Sequence, residues 1–216
     1  MSRMRVGVLI SGRGSNLAAL IEACAEPAFP AEIVAVISNR PGAGGLQIAA
    51  TAGIPCKTID HTAYSDRSAF DAALDEALRA KGVELICNAG FMRLLTADFV
   101  EAWRDRQLNI HPSLLPAFKG LHTHRRALEA GVKVAGCTVH FVRAEMDEGP
   151  IVGQAAVPVR PGDTEDSLAA RVLEAEHRLY PLCLRLVASG AARVIDGRVV
   201  IEDGGAPVSP YPTISV

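Results

Sequence analysis

MRVGVLISGRGSN, Met4 to Asn16, decides the fold. Met4 to Ile10 is an almost unbroken apolar run, the pattern of a strand buried on both faces. Glycines 12 and 14 break it, and apolar residues then recur at Leu17, Leu20, Ile21 and Cys24 with helical spacing. Strand, glycine loop and helix open a nucleotide- or phosphate-binding unit. Glycine lets the backbone approach an anion, and a helix N-terminus offers unpaired N–H groups with a favourable dipole. Position 17 is Leu, which departs from the dinucleotide GxGxxG pattern, and no GK[ST] follows, so the triphosphate P-loop is also missing. One phosphomonoester is the economical ligand; a tight turn with no ligand is the alternative.

The same alternation continues along the chain. Short apolar strands are expected at Ile33–Ile37, Pro55–Ile59, Val83–Ala89 and Leu108–His111. Helices are expected at Leu46–Ala52, stopped by Gly53, and at Ser65–Ala80, stopped by Gly82. Thr96 can cap a helix through Trp103. A helix over His122–Ala130 ends at Gly131. Strands follow at Lys133–Val142, where Thr138 and His140 share a face, and at Ile151–Val159. Thr164 and Ser167 start a long helix to about Ala188, and Asp196-Gly197 turns a hairpin within Arg193–Ile201. The tail from Gly204 is expected to be irregular. The fold class is α/β: a mostly parallel twisted sheet flanked by helices.

Composition narrows the function classes. The chain has 216 residues, 49% hydrophobic and 21% charged, with a formal charge of -2. Near-neutral charge without basic runs argues against a partner held by bulk electrostatics, so neither nucleic acid nor a membrane surface is expected. Cys24, Cys56, Cys87, Cys137 and Cys183 form no CxxC pair and read as small buried residues in a reducing compartment. VGVLI is too brief for a signal peptide or a membrane span, which places the protein in the cytoplasm. His122 and His124 on one helix would point about 200° apart, poor geometry for one ion, and no metal is expected.

The chemistry concentrates in LNIHPSLLPAFKG, Leu108 to Gly120. Asn109 and His111 lie two apart on one strand face, and Pro112 ends the strand. An amide can donate to a developing oxyanion, and an imidazole can exchange protons near neutral pH. A satisfied core histidine is the competing reading. The Phe91–Leu95 cluster is either a hydrophobic plug or a wall for a flat ring, and the acidic turn with Glu145, Asp147 and Glu148 reads by itself as solvated charge.

Taken together, SGRGSN, AGFMRLL, LNIHPSLLPAFKGLHTH and Asp147 resemble the formyltransferase family that uses 10-formyltetrahydrofolate, from Val6 to about Pro181. SGRGSN with LHTHRRALEAG is most similar to the branch that formylates glycinamide ribonucleotide. The resemblance implies a single Rossmann-like formyltransferase domain over residues 1–216. Its N-terminal half would bind the ribonucleotide, and its C-terminal half would serve folate binding and catalysis. It implies formyl transfer from 10-formyltetrahydrofolate, as co-substrate, to the ribonucleotide amine in purine biosynthesis, without metal, by a monomer or homodimer. The family's catalytic residues fall on Asn109, His111 and Asp147. Its ribonucleotide residues fall on Gly14, Ser15, Asn16 and Glu176, and its folate residues on Arg67, Met92, Arg93, Leu94, Leu95 and Asn109, with the 144–148 loop as a further wall. Ala117–Leu121 and Ala144–Gly149 are the expected mobile segments. A methionyl-tRNA formyltransferase would be expected to add a tRNA-binding domain, for which this length and charge are unsuited. A formyltetrahydrofolate hydrolase would add an N-terminal regulatory domain and needs no phosphate loop. A non-catalytic nucleotide or folate sensor would need no proton donor.

Overall fold

The alternation folds as the pattern directs, and the computed structural model describes residues 2–202. Seven strands form one sheet in the order β3-β2-β1-β4-β5-β6-β7. They are β1 (Met4–Ile10), β2 (Ala31–Ser38), β3 (Cys56–Thr58), β4 (Leu85–Asn88), β5 (Gln107–His111), β6 (Val134–Phe141) and β7 (Ile151–Pro158). β1 pairs in parallel with β2 and β4, β2 with β3, and β4 with β5, whereas β6 and β7 are antiparallel. By contacts the chain divides into two compact units. The first runs to Asn109 and includes Val142–Ala144; the second holds Ile110–Phe141 and everything from Glu145 onward.

In the first unit the helices are α1 (Ser15–Ala25), α2 (Gly44–Thr51), α3 (Arg67–Ala80) and α4 (Ala97–Ala102). The apolar residues that specify α3 by their spacing, Phe70, Leu74 and Leu78, are fully buried with Leu9, Ile37, Ile86 and Trp103. Trp103 is 1% exposed, and its indole N–H donates to Asp75 Oδ1 at 2.7 Å, so the largest side chain enters the core with its polar atom satisfied. Thr96 accepts from the Phe99 amide and caps α4 as expected. A short 3-10 turn at His61–Ala63 has no periodic signature in the sequence.

In the second unit α5 (Thr123–Glu129) and α6 (Glu165–Ala188) accompany β6, β7 and a hairpin of β8 (Ala192–Ile195) and β9 (Arg198–Ile201). Thr164 and Ser167 form a reciprocal capping box on α6. Asp196 and Gly197 both have positive φ, as a two-residue hairpin turn requires. Two expectations are corrected. His122 is not helical: it precedes α5 in the left-handed region, at φ 57°. Cys56 is exposed on β3, a strand too short to cover it, although the other four cysteines are buried. The irregular tail expected from Gly204 lies outside the described residues. Among those described, no helix is long and apolar enough to cross a membrane.

Candidate active site

Parallel pairing of β1, β4 and β5 brings three chain segments to one edge of the first unit's sheet, the edge where open α/β sheets bind ligands. The first segment is the glycine loop. Gly14 precedes α1 with φ 82°, a conformation that costs any L-residue about 1–2 kcal/mol. Space forbids a side chain there as well, because a Cβ on Gly14 would lie 2.5 Å from Gly45 Cα. A Cβ on Gly45 would in turn meet Ile10 Cδ1 at 2.6 Å, and the Gly45 amide donates to the Gly12 carbonyl at 3.1 Å. The glycines of SGRGSN and of the PGAGG loop are therefore one close-packed joint. No side chain caps α1, so its first turn, with Ser15 and the buried Asn16, presents the backbone N–H groups an anion needs.

The second segment follows β4. Met92 and Leu94 are 62% and 56% exposed, large apolar side chains standing in solvent. Arg93 stacks its guanidinium over the Phe70 ring at 4.8 Å, and the Thr96 amide donates to Asp71 Oδ2 at 2.6 Å, so α3 holds both ends of the Arg93–Thr96 stretch. Arg67 is the exposed first residue of that same helix. Ser11 joins the loops: its hydroxyl accepts from the Met92 amide at 2.8 Å and donates to Asn39 Oδ1 at 2.5 Å. The third segment is β5, where half-buried Asn109 lies in register with Asn88.

In the second unit, buried His111 has both ring nitrogens engaged. Nε2 lies 3.1 Å from the Phe118 carbonyl, and Nδ1 lies 3.5 Å from Asp147 Oδ2. With Nε2–H given to the carbonyl, a second proton on Nδ1 makes the contact with Asp147 an ion pair. Asp147 is not the solvated charge its acidic turn suggests: its side chain is 9% exposed, against 52% for Glu148. Asp147 Oδ2 accepts from the Gly120 amide at 2.8 Å, and Oδ1 lies 3.8 Å from His140 Nε2. The carboxylate is thus flanked by two buried histidines, of which the sequence assigned only His111 to the site and left His140 as a strand residue. The alternation that puts Thr138 and His140 on one face was the available signal for the second.

Thr138 also explains the HPSLLP stretch. Its hydroxyl donates to the Ser113 carbonyl at 2.7 Å and accepts from the Leu115 amide at 3.0 Å, while Gln154 donates to the Leu115 carbonyl at 2.8 Å. The Leu115-Pro116 peptide is cis. Glu176 is 6% exposed on α6, close enough to Cys137 that its charge adds to burial in pushing that thiol up to about 12.

Gly14, Ser15, Asn16, Arg67 and Met92–Leu95 all belong to the first unit, whereas His111, Asp147 and Glu176 belong to the second; the division falls just after Asn109. Residues 4–184 match the formyl transferase family. The chain is 43% identical to phosphoribosylglycinamide formyltransferase of Escherichia coli over 208 residues, covering 96% of this chain and 98% of that protein. It is 55% identical over 193 residues to the trifunctional purine biosynthetic protein adenosine-3 of Gallus gallus, covering 89% of this chain but 19% of that protein. The chain thus spans about a fifth of that trifunctional relative. Among solved structures, glycinamide ribonucleotide transformylase 1 of Symbiobacterium toebii superposes with TM-score 0.91 at 54% identity, covering 93% of this chain and 95% of that one. Formyltetrahydrofolate deformylase of Burkholderia mallei superposes with TM-score 0.84 at 28% identity, covering 93% of this chain and 70% of that one.

Proposed function

We propose, for a chain that belongs to the formyl transferase family, that it transfers the formyl group of 10-formyltetrahydrofolate to the amine of 5-phosphoribosylglycinamide, giving the N-formyl product and tetrahydrofolate in purine biosynthesis. The observation that carries this reading is the buried His111–Asp147 contact two residues beyond Asn109, in a chain that also has an uncapped, glycine-jointed helix start. The ribonucleotide bears a single phosphate. Backbone N–H groups of Gly14, Ser15 and Asn16 can hold it without the lysine that a triphosphate loop requires. Glu176, a carboxylate, suits ribose hydroxyls as an acceptor. The pteridine is flat and apolar on its faces, which gives exposed Met92 and Leu94 a partner, with Arg93, Leu95 and Arg67 as the further residues proposed to bind the folate.

The neutral amine adds to the formyl carbon and generates a tetrahedral oxyanion and an ammonium. The Asn109 amide and the His111 Nε2–H donate to that oxygen. The imidazolium then gives a proton to the folate nitrogen as the C–N bond breaks, and it regains one from the ammonium, so protons balance over the cycle. Asp147 stabilises the charged ring and, through the Gly120 amide, the loop beside it.

The likeness to a deformylase keeps water in view as a rival acceptor. An absorbance assay of formyl loss from 10-formyltetrahydrofolate, run with and without the ribonucleotide, separates the two. Turnover only with the ribonucleotide is expected. Equal turnover without it would assign the reaction to water and leave SGRGSN without a purpose.

A further inference from the structure

One side chain ties the end of β1 to the segments on both sides of it. The last backbone bonds there run from the Ala89 amide to the Leu9 carbonyl at 2.8 Å and from the Asn39 amide to the Ile10 carbonyl at 3.4 Å. Gly90, with φ 75°, then turns the chain away from β4. The next bond is made by the Ser11 hydroxyl, which accepts from the Met92 amide and donates to Asn39 Oδ1. Ser11 and Asn39 are both buried, and His61 Nδ1 lies 2.8 Å from the Asn39 carbonyl. A hydroxyl that donates in one direction and accepts from another is fixed in orientation, and it fixes the Met92 backbone with it. Met92 and Leu94 nevertheless stand in solvent. Apolar side chains of that size are drawn against the fold when their backbone is free to turn. Here it is held at three points: Met92 by Ser11, Arg93 by the Phe70 ring and Thr96 by Asp71.

We propose that Ser11, although it stands in the glycine-loop motif, is a positioning residue for the folate: oriented by Asn39, its hydroxyl holds the Met92 backbone so that Met92 and Leu94 present a ready-made apolar wall to the pteridine. This rests on the reading of that wall as the folate surface. A surface already ordered in the free protein binds more tightly, because the ligand does not have to order it. The effect belongs to one ligand only. The phosphate loop is secured by other contacts, the Gly45 amide on the Gly12 carbonyl and the close approach of Gly14 to Gly45, and these do not pass through the Ser11 side chain.

Wild type, Ser11→Ala and Ser11→Thr are titrated by calorimetry with tetrahydrofolate and, separately, with 5-phosphoribosylglycinamide, and initial rates of formyl transfer are measured with each substrate varied. Ser11→Ala should weaken tetrahydrofolate and raise the folate KM by about tenfold, the worth of one buried hydrogen bond. The ribonucleotide Kd and KM, and kcat, should stay within about twofold. Ser11→Thr keeps the hydroxyl and should recover most of the lost affinity. Equal weakening of both ligands overturns the proposal, since it marks a general loosening of the fold. Unchanged folate affinity in Ser11→Ala overturns it, and so does a Ser11→Thr variant as weak as Ser11→Ala. Amide hydrogen exchange of the wild type, followed by NMR, tests the tie even if a variant folds poorly. The Met92 amide should be protected about 10²-fold or more over a free peptide and further protected by tetrahydrofolate, and exchange at the free-peptide rate overturns the tie. A wild-type chain that does not bind tetrahydrofolate would sink the proposed function itself, whereas wild-type binding that Ser11→Ala leaves intact sinks only the role of Ser11.

Discussion

Asp147→Asn is the substitution that most directly probes the proposed reaction. The carboxylate has two jobs in the structure, and this change separates them. The asparagine carbonyl can still accept from the Gly120 amide, now at 2.8 Å, so the loop stays held. What is lost is the negative charge 3.5 Å from His111 Nδ1. Two unit charges at that separation attract by about 5 kcal/mol at an effective dielectric of about 20. The imidazolium shares its charge between two nitrogens, and only one faces Asp147, which leaves about 2–3 kcal/mol of stabilisation. Because His111 must carry its second proton before it can deliver one, losing that stabilisation should lower kcat by about 10²-fold. Affinity for both substrates should change little, because neither is proposed to touch the carboxylate in the ground state. Single-turnover kinetics with calorimetric Kd values for the ribonucleotide and the folate read both quantities, and the thermal midpoint checks the loop. A kcat within a factor of three of the wild type would refute the reasoning. A loss confined to Kd would instead make Asp147 a substrate ligand.

Gly14→Ala should lower the thermal midpoint by about 5–10 °C, since the left-handed backbone costs about 1–2 kcal/mol and the new Cβ meets backbone that has little room to move; an unchanged midpoint would mean the glycine joint is looser than described. Asn16→Pro, which removes one of the backbone N–H groups proposed to hold the phosphate, should weaken the ribonucleotide about tenfold and leave the folate alone, and calorimetry showing equal losses for both would remove this loop from phosphate binding. His124, with its pKa lowered by burial in the fold, takes up its proton more readily when unfolded. Between its ordinary value of 6.5 and the lowered folded value, the unfolded chain therefore binds more protons. Stability should be unaffected by this group above about pH 6.5 and should fall as pH drops below it. Urea midpoints should decline less steeply in His124→Leu, and parallel curves would exclude the residue as the source.

Much of this could be read from the sequence because the determining interactions are local or periodic. β1 is an apolar run and α3 an apolar stripe, and each sets its own structure before meeting a neighbour. Thr164 and Ser167 cap α6 over three residues, and Asp196-Gly197 turns a hairpin by backbone conformation alone. The long-range hydrogen bonds could not be read that way. Ser11 meets the Met92 amide across 81 positions, and nothing in SGRGSN marks that serine as the tie between the glycine loop and the apolar wall. Thr138 pins Ser113 across 25 positions. His140 was visible as a strand residue, but its approach to Asp147 depends on a turn in which Asp147 itself takes φ 59°. A left-handed aspartate is a tertiary outcome, since its local neighbours do not require it.

The state of His111 adds one step to the proposed reaction. Both its nitrogens are engaged, so the ring has no donor left for a substrate oxygen while Nε2 faces the Phe118 carbonyl. Catalysis by Nε2–H therefore requires the exchange of that carbonyl for the developing oxyanion. The exchange favours the reaction in one direction only. A neutral carbonyl and a formyl oxygen in the ground state are similar acceptors, so binding alone gains little from it. An oxyanion is a stronger acceptor, with charge-assisted hydrogen bonds about twice as strong as neutral ones. The carbonyl thus works as a competitor that the transition state displaces more easily than the substrate does, which is the differential a catalyst needs. The segment that must yield is built for a small movement. Phe118, Gly120 and His122 all have positive φ, and Arg126 of α5 anchors the segment by donating to the Lys119 carbonyl at 2.5 Å. Displacement at Phe118 can then be absorbed between the Thr138-pinned start of the loop and the Arg126-held end, leaving both anchors in place.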